Sequence, residues 1–242
     1  MIKIALFTEG QTEQIFVRSL LFQVIDNSKL SLDCIKLHGG GEISVPFPYI
    51  CPDPKVHFLI IDVGNDNRVL SAIGEREERL FEAGYEKVIG LRDMYSEAYD
   101  KRSPGNIDDR LTENFIENAQ IIIDDMSKPE SIVLIFAIME IEAWFLAMYN
   151  LFSKIDETLS VEFIEKQIRI NLKKIDPQKD FYKPSSELKK ILRLIGKEYR
   201  KSKDDSEMLC SKMELSDFAT AVENNRSKAF KVFYEEMEKY CF

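Results

Sequence analysis

The amino-acid sequence predicts an α/β fold: a mostly parallel sheet flanked by helices, followed by a helical C-terminal part. Three observations lead there. Short apolar runs near residues 2–7, 56–62, 85–93 and 131–138 have the composition of buried strands. Between 56 and 93 a strand, a helix and a strand follow one another at the spacing of a βαβ unit, which requires parallel pairing. After about residue 152 no strong strand pattern remains and lysine rises.

The first strand, 2–7, carries Lys3 inside an apolar run and leads into Glu9-Gly10-Gln11-Thr12-Glu13. Gly10 reads as a sharp turn at positive φ. Thr12 reads as the N-cap of a mostly buried helix over 13–25, with Ile15, Phe16, Leu20, Phe22 and Val24 inside. Glu9 therefore falls at the carboxyl end of a strand and Glu13 in the first turn of the next helix. The alternation over 32–38 predicts a second strand. Gly39-Gly40-Gly41 then opens a long loop through Pro46, Pro48, Pro52 and Pro54. Without a Lys-Ser/Thr ending the triple glycine is no Walker motif, and a flexible loop is expected.

Strand 56–62 ends on Asp62. A turn at 64–67 leads to a charged amphipathic helix over 68–83, stopped by Gly84. Strand 85–93 again ends on a carboxylate, Asp93. A polar connection precedes a helix over 108–126 whose apolar side holds Leu111, Phe115, Ile116, Ala119 and Ile122 or Ile123. The run 131–138 is the most apolar in the chain and is expected as a central strand. It passes into Glu140-Ile141-Glu142-Ala143-Trp144, with a helix expected on to 151, and further helices near 161–172, 185–200 and 217–240. The division is thus an α/β domain with an acidic site over 1–152 and a helical subdomain over 153–242.

Composition narrows the chemistry. With 45% hydrophobic and 31% charged residues in 242, the chain reads as an ordinary globular protein. No apolar run approaches the ~20 residues that span a bilayer, and the opening lacks a signal-peptide layout. No membrane association and a cytoplasmic location are expected. Cys34, Cys51, Cys210 and Cys241 are scattered without a CxxC pair, which argues against a zinc ribbon and a disulfide scaffold. His38 and His57 are the two histidines, so chemistry built on several imidazoles is excluded. A bound metal must rely on carboxylates, which select hard ions such as Mg²⁺ or Mn²⁺. The net charge of −9 argues against a generally phosphate-coating protein. It leaves open a nuclease whose acidic site is neutralised by metal.

Strand ends carry Glu9, Asp62, Asp93 and the pair Glu140 and Glu142. In a parallel sheet the carboxyl ends share one edge, where ligand sites of open α/β sheets gather. Carboxylates crowded there are costly unless a metal or a proton compensates. From spacing alone two readings of the first motif stand: Glu13 complements the helix dipole and Glu9 is a solvated turn residue, or both are ligands.

Glu-Gly-x-Thr-Glu directly after a first strand resembles the opening motif of Toprim-fold proteins, in particular the OLD-type nucleases and the RloB-like and EGxTE proteins related to them. The resemblance implies a Toprim-like fold in which Glu9 and Glu13 help to hold divalent metal. Leu91-Arg92-Asp93 resembles the strand that delivers the family's Asp-x-Asp metal motif. Tyr95 stands where the second Asp would be, which bears on a second ion; Glu97 or Asp100 are the candidate substitutes. Met139-Glu140-Ile141-Glu142-Ala143-Trp144 resembles the Glu-x-Trp helix start, with Glu142 the matching acid and Glu140 its neighbour. Trp144 itself reads as a core aromatic. Phe181-Tyr182-Lys183-Pro184 resembles an aromatic-x-Lys element that places Lys183 near the phosphate, although a solvated lysine reads equally well. Asn225-Arg226-Ser227-Lys228-Ala229-Phe230 resembles the closing segment of the same relatives.

The resemblance therefore implies a Mg²⁺- or Mn²⁺-dependent nuclease hydrolysing phosphodiester bonds of DNA or RNA. Two ions are expected, with Glu9, Glu13, Asp93, Glu140 and Glu142 as ligands. Glu9, Glu13, Asp93 and Lys183 form the catalytic set, and Arg92 and Lys183 bind the phosphate. OLD-type relatives carry their own ATPase and RloB-like ones are associated with separate ATPases. This chain lacks a Walker motif, so the resemblance points to an ATPase partner in an anti-phage defence system; homo-oligomerisation is a further expectation. The alternatives are a catalytically silent Toprim-like regulatory or interaction module, which Tyr95 favours, and an acidic-site phosphohydrolase of small nucleotides.

Overall fold

The computed structural model describes residues 1–47, 49, 51–64, 68–223 and 226–241. The order of elements begins β1 (Ile2–Thr8), α1 (Gln11–Val24), β2 (Leu30–His38), β3 (Gly41–Ser44) and β4 (Val56–Asp62). There follow α2 (Val69–Gly74), α3 (Glu77–Glu82), β5 (Lys87–Asp93), α4 (Glu97–Arg102), α5 (Asp109–Asp124) and β6 (Ile132–Ala137). The remainder is helical: α6 (Glu142–Ala147), α7 (Leu151–Ile155), α8 (Val161–Ile168), α9 (Pro177–Asp180), α10 (Pro184–Arg193), α11 (Lys203–Cys210), α12 (Leu215–Glu223) and α13 (Lys228–Glu238).

Among the described residues the strands form one six-stranded sheet of order β3-β2-β4-β1-β5-β6, parallel except for β3. This is the α/β arrangement expected, consistent with a Toprim-like fold. The sheet is covered on both faces, as parallel strands require. On one face Ile4, Leu6, Phe58, Ile60, Ile89 and Leu91 meet Phe16 and Leu20 of α1 and the C-terminal helices. On the other, Ala5, Phe7, Ile61 and Val88 meet Val69, Ala72 and Ile73 of α2 and Ile123 of α5. Trp144 is fully buried, its ring centroid 5.5 Å from that of Phe16, 5.4 Å from Phe230 and 5.3 Å from Phe233. The strands before 152 and the helices after it thus feed one apolar cluster.

Several local expectations give way. Gly10, with φ −156°, is the N-cap of α1 in extended backbone that any residue adopts. A Cβ there would lie 3.3 Å from the Glu13 carboxylate, a tight contact that would push that side chain aside by a few tenths of an ångström. Thr12 is not the cap; it lies inside the helix and its hydroxyl meets that of Ser206 at 3.0 Å. The Gly39-Gly40-Gly41 stretch is a hairpin rather than a flexible loop. Gly39 and Gly40 take φ of +58° and +80°, the two positive values that a two-residue turn of matching twist demands, and β3 returns antiparallel to β2. Pro48 lies outside the described residues, as do 65–67 of the expected turn after β4.

The helix expected over 68–83 is two short ones, broken between Gly74 and Glu77, with Gly84 ending the second at φ +84°. The helix expected to run to 151 stops at Ala147 and α7 begins a separate turn. The span 217–240 is likewise divided into α12 and α13. The most apolar run, β6, is an edge strand and not a central one. Its burial comes from α5 and α13 on its two faces, so a continuous hydrophobic run reports covered faces and not position in the sheet.

Gly90 in the middle of β5 shows how closely one helix lies on the sheet. A Cβ there would meet Leu134 Cδ1 at 2.5 Å, Ile73 Cδ1 at 3.0 Å and Val69 Cγ1 at 3.2 Å. Gly90→Ala is therefore expected to lower stability by about 1–3 kcal/mol through overpacking. The check is a lower urea midpoint at an unchanged m-value.

Candidate functional site

Parallel register sets the carboxyl ends of β1, β5 and β6 side by side: Thr8 pairs with Leu91, and Asp93 with Ala137. Each end delivers an acid to an open cleft of about 470 Å³. Glu9, Gly10, Glu13, Asp93, Tyr95, Glu140 and Lys201 line it, with Lys36 and Asp62 on the β2–β4 side.

The acids are tied to one another through backbone. The Asp93 amide donates to Glu9 Oε2 at 2.9 Å, joining β1 to β5. The Ile141 amide donates to Asp93 Oδ1 at 2.8 Å, joining β5 to the turn after β6. That turn is reversed at Met139, a fully buried non-glycine residue with φ +62°, a left-handed conformation that tertiary contacts must hold. Gln14 secures α1 from behind, its side-chain amide donating to the carbonyls of Ile35 at 2.9 Å and Ile60 at 3.1 Å.

The C-terminal part contributes the rest. The amide of Ser185, in the first turn of α10, donates to Glu140 Oε2 at 2.8 Å, and its hydroxyl to Oε1 at 3.0 Å. A carboxylate at a helix start is the arrangement that the helix dipole favours. Tyr199 donates its hydroxyl to Glu142 Oε1 at 2.7 Å. Lys201 Nζ lies 3.0 Å from Glu140 Oε1 and 3.1 Å from Glu142 Oε2. The second contact is ionic without hydrogen-bond geometry, so Glu142 Oε2 is buried with no hydrogen bond. Lys201 has φ +57°, a second left-handed non-glycine residue at this site.

Burial and mutual repulsion raise the proton affinity of the acids. Burial, the largest influence, lifts Glu13 from 4.5 to about 7; the charge of Glu142 adds to the lift and Lys201 opposes it. Burial, then the charges of Glu13 and Glu9, hold Asp93 well above its ordinary value. Glu142 is raised by burial, against the pull of Lys201. Burial works against the charge of Lys201, but Glu142, Asp93 and Glu140 outweigh it and hold the ammonium protonated more firmly than usual. Asp62 is raised by burial, with the Gly64 amide at 2.8 Å and Lys36 at 3.8 Å opposing.

The sequence-predicted residues thus divide. Glu9, Glu13, Asp93 and Glu140 share the cleft, with Glu142 held beside Glu140 by Lys201. Lys183 does not line it. This exposed lysine caps α10 and holds its ammonium 5.3 Å from the ring centroid of Tyr95, which does. Arg92 also lies outside the lining, its guanidinium over Phe136 at 5.4 Å. Neither candidate substitute for the second Asp reaches the cleft: Glu97 pairs with Lys101 at the surface, and Asp100 accepts the Tyr182 hydroxyl at 2.6 Å. Of the closing segment, Asn225 lies outside the described residues, and Phe230 belongs to the core. Lys201, Tyr199 and Ser185 were missed. Ser185 directly follows the Phe181–Pro184 element, while Tyr199 and Lys201 lie in a lysine-rich stretch without a motif, and no periodicity marks a residue such as Lys201 that acts through a left-handed turn.

The donor chemistry fits a hard divalent ion. The cleft offers the carboxylate oxygens of Glu9, Glu13, Asp62, Asp93 and Glu140, whose repulsion is partly offset by the ammonium groups of Lys201 and Lys36. As they stand, no three His, Cys, Asp or Glu side chains among the described residues are arranged to hold an ion. The buried acids set a pH dependence. A carboxyl raised on folding contributes stability that is full below its unfolded value, about 4.5 for Glu13, and is lost as pH rises through about 7. In EDTA the melting temperature is expected to fall across that window. Glu13→Gln should flatten the fall, by an amount on the order of 3 kcal/mol at most. Melting curves from pH 4.5 to 8 check this.

A family model described as a domain of unknown function (DUF4276) matches residues 8–238. Searches of curated proteins and of solved structures return no match. No helix among the described residues is long and apolar enough to cross a membrane.

Proposed function

We propose that this chain, which belongs to the DUF4276 family, is a divalent-metal-dependent nuclease of Toprim-like type that hydrolyses phosphodiester bonds of DNA or RNA. One observation carries the reading. Glu9, Glu13 and Asp93, from two strand ends and a helix start, meet in one cleft, and burial leaves Glu13 and Asp93 with raised proton affinity. Titratable groups perturbed together in a cleft are candidates for a functional site. Glu9, Glu13 and Asp93 would hold Mg²⁺ or Mn²⁺. The ion supplies acidity to a bound water and positive charge beside the phosphate. The chain's own residues do the remaining work. Lys201, which lines the cleft where Lys183 and Arg92 do not, offsets charge on the phosphate. The Asp93 and Ile141 amides fix the orientation of Glu9 and Asp93.

An effector role in anti-phage defence beside an ATPase partner extends this reading, since the chain has no Walker motif of its own. A second reading, a catalytically silent module, is favoured by Tyr95, which lines the cleft where the relatives' second Asp would stand. Two measurements separate them. Mn²⁺ at a hundredfold over its Kd should stabilise the protein by about 2.7 kcal/mol through linkage. Single- and double-stranded DNA and RNA, with free nucleotides alongside, should reveal Mn²⁺-dependent cleavage that Glu9→Gln and Asp93→Asn abolish. Melting unchanged between EDTA and millimolar Mn²⁺ would favour the silent module, and hydrolysis confined to free nucleotides would replace the nuclease with a small-molecule phosphohydrolase.

A further inference from the structure

The acids of the cleft do not share one set of direct contacts, although the charge of Lys201 reaches Asp93 and Glu13 as well. Both oxygens of Glu140 are engaged by Ser185, and one also by Lys201. Glu142 is fully buried, accepts the Tyr199 hydroxyl with one oxygen and faces Lys201 at 3.1 Å with the other. It does not line the cleft. These partners all belong to the segment 185–201. Glu9 and Asp93 instead accept backbone amides of the α/β part, Glu13 lies in the first turn of α1, and all three line the cleft. Tyr95 lines the cleft on the Asp93 side and adds no carboxylate there.

We infer that Lys201 partitions the acids, so that Glu140 and Glu142 serve as ligands of its ammonium while Glu9, Glu13 and Asp93 hold a single divalent ion. The ammonium is the fixed second cation of the site. This rests on the metal-dependent reading above and revises the ligand set which the family resemblance implies. The physical reason is competition. An ammonium about 3 Å from both carboxylates satisfies them without the dehydration a second Mg²⁺ would demand, and it repels a second dication nearby. The left-handed backbone at Lys201 holds this geometry against its own conformational preference.

Calorimetry and Mn²⁺ electron paramagnetic resonance on the full chain, without substrate, test the partition. The wild type is expected to bind one Mn²⁺ per chain. Lys201→Met, which removes a positive charge and releases two acids, should bind Mn²⁺ on the order of tenfold more tightly or take up a second ion. Lys201→Arg should keep one ion at near wild-type affinity. If Lys201→Met does not fold, the double variant Lys201→Met with Glu142→Gln removes the unpaired buried charge and is read in the same way. Two ions in the wild type, or weaker binding in Lys201→Met, would overturn the partition while leaving the metal-dependent reading in place. No Mn²⁺ binding to any variant would overturn both.

Discussion

The structure turns on a cluster of buried carboxylates at one edge of a parallel sheet. Isolated, each would resist leaving water, since a buried charge without a partner costs several kcal/mol. Together they repel one another as well. The fold answers with a small set of fixed dipoles and one ammonium: the amides of Asp93, Ile141 and Ser185, the Tyr199 hydroxyl and Lys201. The answer is partial, because Glu13, Asp93 and Glu142 keep raised proton affinities. What the scaffold leaves uncompensated is met by protons, which these carboxyls hold more firmly than usual.

That constraint explains why the helical C-terminal part is integral to the site. Its helices bury Trp144, Phe230 and Phe233 against α1, which positions α10 and the turn at 199–201 beside the acids that follow β6. Thr12 meets Ser206 across the same seam, so the helix carrying Glu13 and the helix just after Lys201 are held together. Loosening of this core would move the counterion of Glu140 and Glu142. Packing and electrostatics are one problem here.

How the site divides between local and distant information follows from the residues. Glu9, Asp93 and Glu140 could be proposed early because each stands just after an apolar run, and a parallel sheet gathers such ends; Glu13, in the first turn of α1, was pointed to only by the resemblance of its motif. Lys183 and Arg92 were plausible cations on motif alone, yet neither lines the cleft. Their side chains lie over Tyr95 and Phe136 instead. Glu97 and Asp100 are near Asp93 in sequence, but α4 carries them to the surface and to Tyr182. Nearness along the chain says little once a helix turns away.

The amino-acid sequence by itself determined five of the six strands among the described residues, their parallel direction, the acids at their ends and a helical C-terminal part; it missed the antiparallel β3 and did not show that β1 lies between β4 and β5. What it determined depends on local composition, periodicity or connection length, which the chain states directly. Tertiary structure alone decided the rest. It placed the most apolar strand at the sheet edge, where helices on both faces bury Ile132, Ile135, Phe136 and Ala137 and leave Val133 and Leu134 partly exposed. It made Gly90 a matter of space, since packed neighbours crowd a Cβ there. It also brought Lys201 to Glu140 and Glu142 from 61 residues beyond the first of them. Ion pairing depends on distance in space, and nothing in a lysine's own neighbourhood records which carboxylate it will meet.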